Sequence, residues 1–299
     1  MARPRLIRKR IGSIKNINKI TRTMERVAQS RAMKLSGRLT GSRAFRDRVA
    51  HHVRSCLRGD PVAVSVLLEH PLCRRPRAGE PLLLLVVTSS RGLCGGYNTR
   101  VLQLARRRIR ELEAAGTAVV LVVIGRRGAS SFRYAGRAIA EAFTDIDEAT
   151  PYARWNEIMS GLFARFERRE IGGLEVASMR YLTKAVQEAR LTTLLPLDPT
   201  SKNVSGPPVS GEPLYHVEPT QEAFLREAAS LMSKAELTCL LVEALLSEQM
   251  QRTLAMRNAT DSAETMVGKL TRSYNRARQA QVTAEMMEIV AGSQGVAGE

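Results

Sequence analysis

From Pro4 to Pro61 the chain carries no proline, and within that stretch apolar residues return at Ile7, Ile11, Ile14, Ile17, Ile20, Met24 and Val27. Steps of three and four residues bring side chains onto one face of an α-helix, and a stripe this narrow reads as the seam of a coiled coil. Residues 6–58 are therefore expected to form one helix about 80 Å long. No ordinary globular domain covers such a length, so the helix needs a partner. The other end of the chain supplies it. After Pro219 there is no proline, glycine occurs only at 268, 292, 295 and 298, and Ala263, Met266, Val267, Leu270, Tyr274 and Ala277 again step by threes and fours. In "EAFLREAASLMSKAELTCLLVEALLSEQM" the apolar face is broader, as expected where a helix packs on a globular body. A near-continuous helix here would be on the order of 100 Å long.

Between these ends, residues 81–200 change character. "PLLLLVVTSS", "TAVVLVVIG" and "GLEVASMRYL" read as strands, separated by the helical stretches "TRVLQLARRRIRELEAAG", ended by Gly116, and "YARWNEIMSGLFARFERRE", ended near Gly172. Strands alternating with helices at this spacing point to βαβ units and a mainly parallel sheet. "LDPTSKNVSGPPVSGEP", 197–213, has linker composition. The expected fold class is α/β: a long antiparallel two-helix coiled coil formed by the two ends, with an inserted Rossmann-like α/β domain. The expected divisions are 1–60 for the first coiled-coil helix, 61–213 for the inserted domain and linker, and 214–299 for the second helix.

Only 4% of residues are aromatic against 44% hydrophobic, which suits long helices better than an all-β core. No run approaches the roughly 18 apolar residues that span a bilayer, so a soluble chain is expected. Cys56, Cys73, Cys94 and Cys239 are scattered, with neither metal-ligand spacing nor a disulfide framework, which favours a reducing compartment. The net charge is +17, and residues 1–54 hold only Glu25 and Asp47 as acids. A helix so basic seeks a polyanion, an acidic protein surface or an anionic membrane, unless it is simply a solvated face. It also imitates an organelle transit peptide, but the helical period already starts at Leu6 and Ile7, leaving no room for a leader.

"RGLCGGYN", 91–98, follows the first strand, where a phosphate-binding loop would sit. It lacks the lysine and hydroxyl of a P-loop and the glycine spacing of a dinucleotide fingerprint. Glu111 and Glu113 lie about twenty residues on, but on a helix and not at a strand end. Gly92, Gly95 and Gly96 are thus expected to serve a tight structural turn. His51, His52, His70 and His216 form no HExxH, no GxSxG occurs, and "DIDEATP" at 145–151 reads as a loop with a helix cap. No catalytic residue, cofactor or metal is expected, and the chain is not expected to be an enzyme by itself.

Two end segments carry a family resemblance: "IRKRIGSIKNINKITRTMERVAQSR", with Arg10, Ile11, Ser13, Asn16, Lys19, Ile20, Thr21, Met24, Val27 and Ala28, and "SEQMQRTLAMRNATDSAETMVGKLTRSYNRARQAQVTAEMMEIVAG". With "RGLCGGYN" and "LLPLD" they resemble the gamma subunit of F-type ATP synthases, the central rotor shaft; about 120–190 matches in pattern only. The resemblance implies an antiparallel coiled coil inside a ring of alternating alpha and beta subunits, with the α/β domain against the epsilon subunit and the membrane c-ring. It implies that ATP chemistry belongs to the beta subunits, and that an asymmetric shaft biases each of them differently. By position-by-position match, Arg278, Gln279 and Thr283 fall where family members contact beta-subunit loops, and Arg252 and Glu248 match lower shaft positions. Met24 and Arg26 fall in the N-terminal part of that surface. No nucleic acid or small-molecule substrate is implied.

The sequence departs from the family at Thr23, Arg26 and Ala284, and the extra charge at 26 bears on coupling to an acidic partner loop. The cysteine-bearing insert of the chloroplast branch is missing, so no thiol switch is expected. The expected location is the cytoplasmic side of a bacterial inner membrane, as a peripheral subunit. The rival reading is a nucleic-acid-binding basic coiled coil. It explains the charge but gives the partner helix and the inserted domain no role.

Overall fold

The computed structural model describes residues 4–57, 61–198, 217–218 and 220–296. Six helices, α1 (Pro4–Leu57), α2 (Pro61–Leu68), α3 (Tyr97–Ala114), α4 (Arg126–Tyr134), α5 (Tyr152–Glu167) and α6 (Gln221–Val296), accompany five strands, β1 (Leu82–Val87), β2 (Val119–Ile124), β3 (Glu141–Phe143), β4 (Gly173–Tyr181) and β5 (Gln187–Leu195). The chain divides into a helical unit, residues 1–29 with 252–299, and a sheet unit, residues 30–251. The linker expected at 197–213 lies, from residue 199 onward, outside the described residues.

In the sheet unit the strand order is β3-β2-β1-β4-β5. The β1–β2, β1–β4 and β2–β3 ladders are parallel and β4–β5 is antiparallel, so the sheet is mainly parallel as expected. β1 and β2 are near-continuous apolar runs because both faces are covered. Leu83, Leu85, Val87, Val122 and Ile124 meet α5 and residues Leu237, Leu240, Leu241 and Ala244 of α6, whereas Leu84, Val86, Leu121 and Val123 meet α3 and α4. The broad apolar face of α6 thus packs on the sheet. Within this unit the first and last helices run antiparallel: Arg43 pairs with Glu243, Arg46 with Glu236, and Gln221 Nε2 donates to the Cys56 carbonyl at 2.7 Å.

Four elements escaped the sequence reading. α2 follows a proline that suggested only a break. α4 has no assignment in the sequence, since its "RRGASSFRY" holds a glycine and two serines. β3 has three residues, and β5, "QEARLTTLL", is a half-exposed margin without an apolar run. Gly116 does end α3, at φ +74°. The end of α5 is made differently from the expectation: Arg169, at φ +62°, takes the left-handed position three residues before Gly172, and Glu170 N–H donates to the Arg165 carbonyl at 2.9 Å. Gly172 is needed for space, because a Cβ there would lie 2.8 Å from Glu80 Cβ.

In the helical unit the seam follows the stripe the sequence suggested through Ile7, Ile11 and Ile14 and departs from it beyond. Ile7, Thr21 and Ala28 are buried and Ile11, Ile14, Asn18 and Glu25 half-buried, whereas Ile17, Ile20, Met24 and Val27 are 39–59% exposed. The buried set steps 7, 11, 14, 18, 21, 25, 28, an unbroken heptad, and the apolar residues at 17, 20, 24 and 27 sit one position behind it. The reason is chemical. Thr260 donates to the Thr21 hydroxyl at 2.7 Å, Thr21 to the Asn18 carbonyl and Asn18 Nδ2 to the Thr260 carbonyl, each at 3.1 Å. Such a closed polar layer fixes one register, and its small side chains let the helices approach. On α6 the seam follows the expected residues, with Met256, Thr260 and Ala263 buried and Val267, Leu270, Tyr274 and Ala277 half-buried, except that Met266 is exposed.

Candidate functional site

The helical unit offers an unusual surface. Arg5, Arg8, Lys9, Arg10, Lys15, Lys19, Arg22 and Arg26 are all exposed, beside the apolar line of Ile17, Ile20, Met24 and Val27. An interhelical ion pair, Arg22 with Glu264, offsets part of this charge, and at about half exposure such a pair is worth about 0–1 kcal/mol. The face combines a positive field that attracts from a distance with apolar side chains that gain only when a partner covers them.

Beyond Ala277 every residue from Arg278 to Met287 is exposed, including Val282, Met286 and Met287, and so are Ile289 and Val290. Arg278 and Gln279 project freely into this region, and Thr283 Oγ1 returns to the Gln279 carbonyl at 3.0 Å. Arg26 and Met24 are exposed on α1. Arg252 and Glu248, by contrast, are 8% and 7% exposed and offer little area.

In the sheet unit the carboxyl end of β1, on the β1 side of the switch point where an open α/β sheet would receive a nucleotide, is tied up by the chain's own side chains. Asn98 Oδ1 accepts the Ser89 N–H at 3.0 Å, its Nδ2 donates to Ser89 Oγ at 2.8 Å, and Tyr97 OH donates to the Val87 carbonyl at 3.3 Å. Thr88 Oγ1 donates to the Ile124 carbonyl and accepts the Gly128 N–H. A Cβ at Gly125, φ +96°, would fall 2.2 Å from the Thr88 carbonyl oxygen, so only glycine lets α4 start there. In the glycine loop, Gly95 has φ +56° and Leu93, not Gly92, is the second left-handed residue at φ +62°. Gly96 precedes α3 at an ordinary φ of −83°. Asn98 as organiser and Leu93 as a left-handed leucine were not legible in the sequence, where glycine drew the attention.

A charge cluster ties three elements of this unit together. Glu243 on α6 is 1% exposed; Arg43 Nη2 of α1 donates to its Oε1 at 2.9 Å and Arg180 Nε of β4 lies 2.6 Å from its Oε2, close as an ion pair but not aligned as a hydrogen bond. Arg43 Nη2 also donates to the Tyr181 carbonyl at 2.9 Å. Arg31 of α1 pairs with Glu148, so the "DIDEATP" loop is a docking point for α1; Asp147 Oδ1 accepts the Ala149 N–H at 2.9 Å within the loop, and the expected helix cap is not made, because the N-cap of α5 is Pro151 with no side-chain cap bond. Arg74 stacks 4.1 Å over Phe166 and donates to Glu80 at 2.8 Å, which holds the Glu80 carboxyl below the usual carboxylate range. Burial pushes the Cys73 and Cys239 thiols up to about 11, leaving them inert. Among the described residues no three His, Cys, Asp or Glu side chains meet as metal ligands, and no helix is long and apolar enough to cross a membrane.

Comparison with known proteins follows this geometry. A family model described as ATP synthase matches residues 4–296. The chain is 34% identical over 299 residues to the ATP synthase gamma chain of Leptospira biflexa, covering 99% of this chain and 100% of that one. It is 35% identical over 301 residues to the ATP synthase gamma chain of Gemmatimonas aurantiaca, covering 100% of both. Among solved structures, a chain of the Euglena gracilis mitochondrial ATP synthase (OSCP/F1/c-ring, rotational state 3) shares the fold with a TM-score of 0.65 at 16% identity, covering 98% of this chain and 94% of that one.

Proposed function

The chain belongs to the ATP synthase gamma-chain family, and on that premise we propose how this member couples rotation to catalysis. As the central shaft of an F-type ATP synthase, it transmits ion-driven rotation of a membrane c-ring to the beta subunits, which carry the ATP chemistry. The observation that supports this most is the helical unit's surface: a basic face with an uncovered apolar line, followed by the fully exposed stretch Arg278 to Met287. A ring of alpha and beta subunits around these helices would cover the apolar line, and acidic loops on that ring would meet Arg26 and its basic neighbours. Contacts of this kind must be individually weak so that the shaft can turn, and exposed ion pairs at about 0–1 kcal/mol each satisfy that. The ends, 1–60 and 214–299, serve as the shaft; the stretch 61–213 serves as the foot toward the epsilon subunit and c-ring, on the cytoplasmic face of a bacterial inner membrane.

Arg278, Gln279 and Thr283 are assigned to the beta-subunit contact, with Met24 and Arg26 facing the same ring. Arg252 and Glu248 join it through the small area they leave open. If Arg278 and Gln279 bond beta-subunit loops in only some rotor orientations, each charge-assisted bond contributes roughly 1.5–3 kcal/mol that differs between states. That difference shifts the beta-subunit equilibrium. The test is the double variant Arg278→Ala/Gln279→Ala reconstituted with its alpha and beta partners. Assembly should stay stoichiometric by gel filtration, because the seam is untouched. ATP turnover and ion pumping should fall about tenfold per 1.4 kcal/mol of lost differential contact. Turnover and pumping equal to the parent would remove these residues from the coupling path.

A further inference from the structure

One surface of the sheet unit has no role in this reading. β5 (Gln187–Leu195) is the margin of the sheet, with β4 on one side and no strand on the other among the described residues. Alongside it, Arg100, Gln103, Leu104, Arg106, Arg107 and Arg110 of α3 and Ala189 of β5 line a groove of about 510 Å³. Four arginines face this groove and no carboxylate does. Arg100 Nη1 is committed to the Gln187 carbonyl at 3.3 Å and Arg106 Nη2 to Ser131 Oγ at 2.9 Å. Arg107 and Arg110 are exposed and have no anionic partner among the described residues, while Glu111 is held by Arg108.

We propose that this groove and the open margin of β5 form a docking site for an extended acidic segment of a partner protein, added as a sixth strand. Gln187, Leu194 and Leu195 are buried at the two ends of β5, and between them the margin at 188–193 presents a row of backbone groups that a segment in β conformation satisfies. Every second side chain of that segment would point over the face to which Ala189 and Leu191 contribute, the α3 face. Three alternate residues span about 13–14 Å along a strand, and Arg100 to Arg110 span about 15 Å along the helix. The recognised pattern is therefore a carboxylate at every second position. A nucleic acid would meet the arginines but not the backbone margin, and a membrane surface would use neither the groove nor the strand period.

The test uses the full chain and two labelled heptapeptides of one composition, Glu-Thr-Glu-Thr-Glu-Thr-Glu and Glu-Glu-Glu-Glu-Thr-Thr-Thr, with binding read by fluorescence anisotropy. The alternating peptide should bind at least about tenfold tighter, equivalent to about 1.4 kcal/mol, and should protect amides of residues 188–193 from hydrogen exchange. Arg107→Gln/Arg110→Gln should remove that preference while the thermal melt stays unchanged. Equal binding of both peptides, or a preference that survives in the double variant, would overturn the proposal. So would protection confined to residues 4–26, which would mark the basic helix as the acid-binding surface. Tighter binding to phosphatidylserine vesicles or to a single-stranded oligonucleotide, abolished by the same variant, would replace the peptide with a different ligand and equally refute it.

Discussion

The sheet unit and the helical unit are built from the same apolar residue types and use them in opposite ways. In the sheet unit the leucines and valines of β1 and β2 are buried on both faces, and even the buried carboxylate of Glu243 has two arginines. In the helical unit the seam takes in Thr21, Thr260, Ala28 and Ala263 beside the buried Ile7 and Met256, while Ile17, Ile20, Met24 and Met266 are left facing outward. Burying an aliphatic side chain is worth about 1.5–3 kcal/mol, so a chain that spends small polar residues inside and large apolar ones outside is not finished alone. The sheet unit carries its own stability; the helical unit carries surfaces that stabilise something only when covered.

Substitutions can break or sharpen this contrast. The largest effect is expected for Leu85→Ala, at a fully buried site between α5 and the sheet. It should cost about 2–5 kcal/mol by urea denaturation, read through Trp155, which packs against that core. Glu243→Ala should cost less, about 1–3 kcal/mol, because it orphans Arg43 and Arg180 at a site they reach from partly exposed positions. At the other extreme, Ile20→Ala should change the stability of the isolated chain by no more than about 0.5 kcal/mol, although isoleucine to alanine in a core costs several times that. A large loss for Ile20→Ala in the isolated chain would mean that the apolar line is already covered, and the contrast would fall.

Much of this was legible in the sequence, for stated reasons. Proline-free length and three-four spacing are strong helix signals, and both long helices appeared. Continuous apolar runs gave β1, β2 and β4. The rest lay where hydrophobicity is a poor guide. The seam at Asn18, Thr21 and Glu25 is polar, so the eye follows the isoleucines one position behind it; only the hydrogen bonds between Thr21, Asn18 and Thr260 reveal which stripe closes. β5 was missed because a half-exposed margin strand alternates charged and apolar residues, and α4 because its small residues serve the close approach of Gly125 and Gly128 to Thr88. Of the surface assigned to coupling, Arg278, Gln279, Thr283, Met24 and Arg26 came from resemblance and proved exposed. The near-complete burial of Arg252 and Glu248 was invisible to pattern, since helix spacing does not say what covers a polar side chain.

The central claim is that the helical unit is completed by partners, whereas the core of the sheet unit folds without them. Hydrogen exchange measured by mass spectrometry, on the isolated chain and on the chain assembled with its alpha and beta subunits, tests it directly. Helices draw most of their stability from packing, so residues 6–29 and 255–290 should exchange quickly in isolation and become protected on assembly. Residues 82–181 should be equally protected in both states. Equal protection of the two ends before and after assembly would contradict the account, because it would show helices that need no ring to cover them.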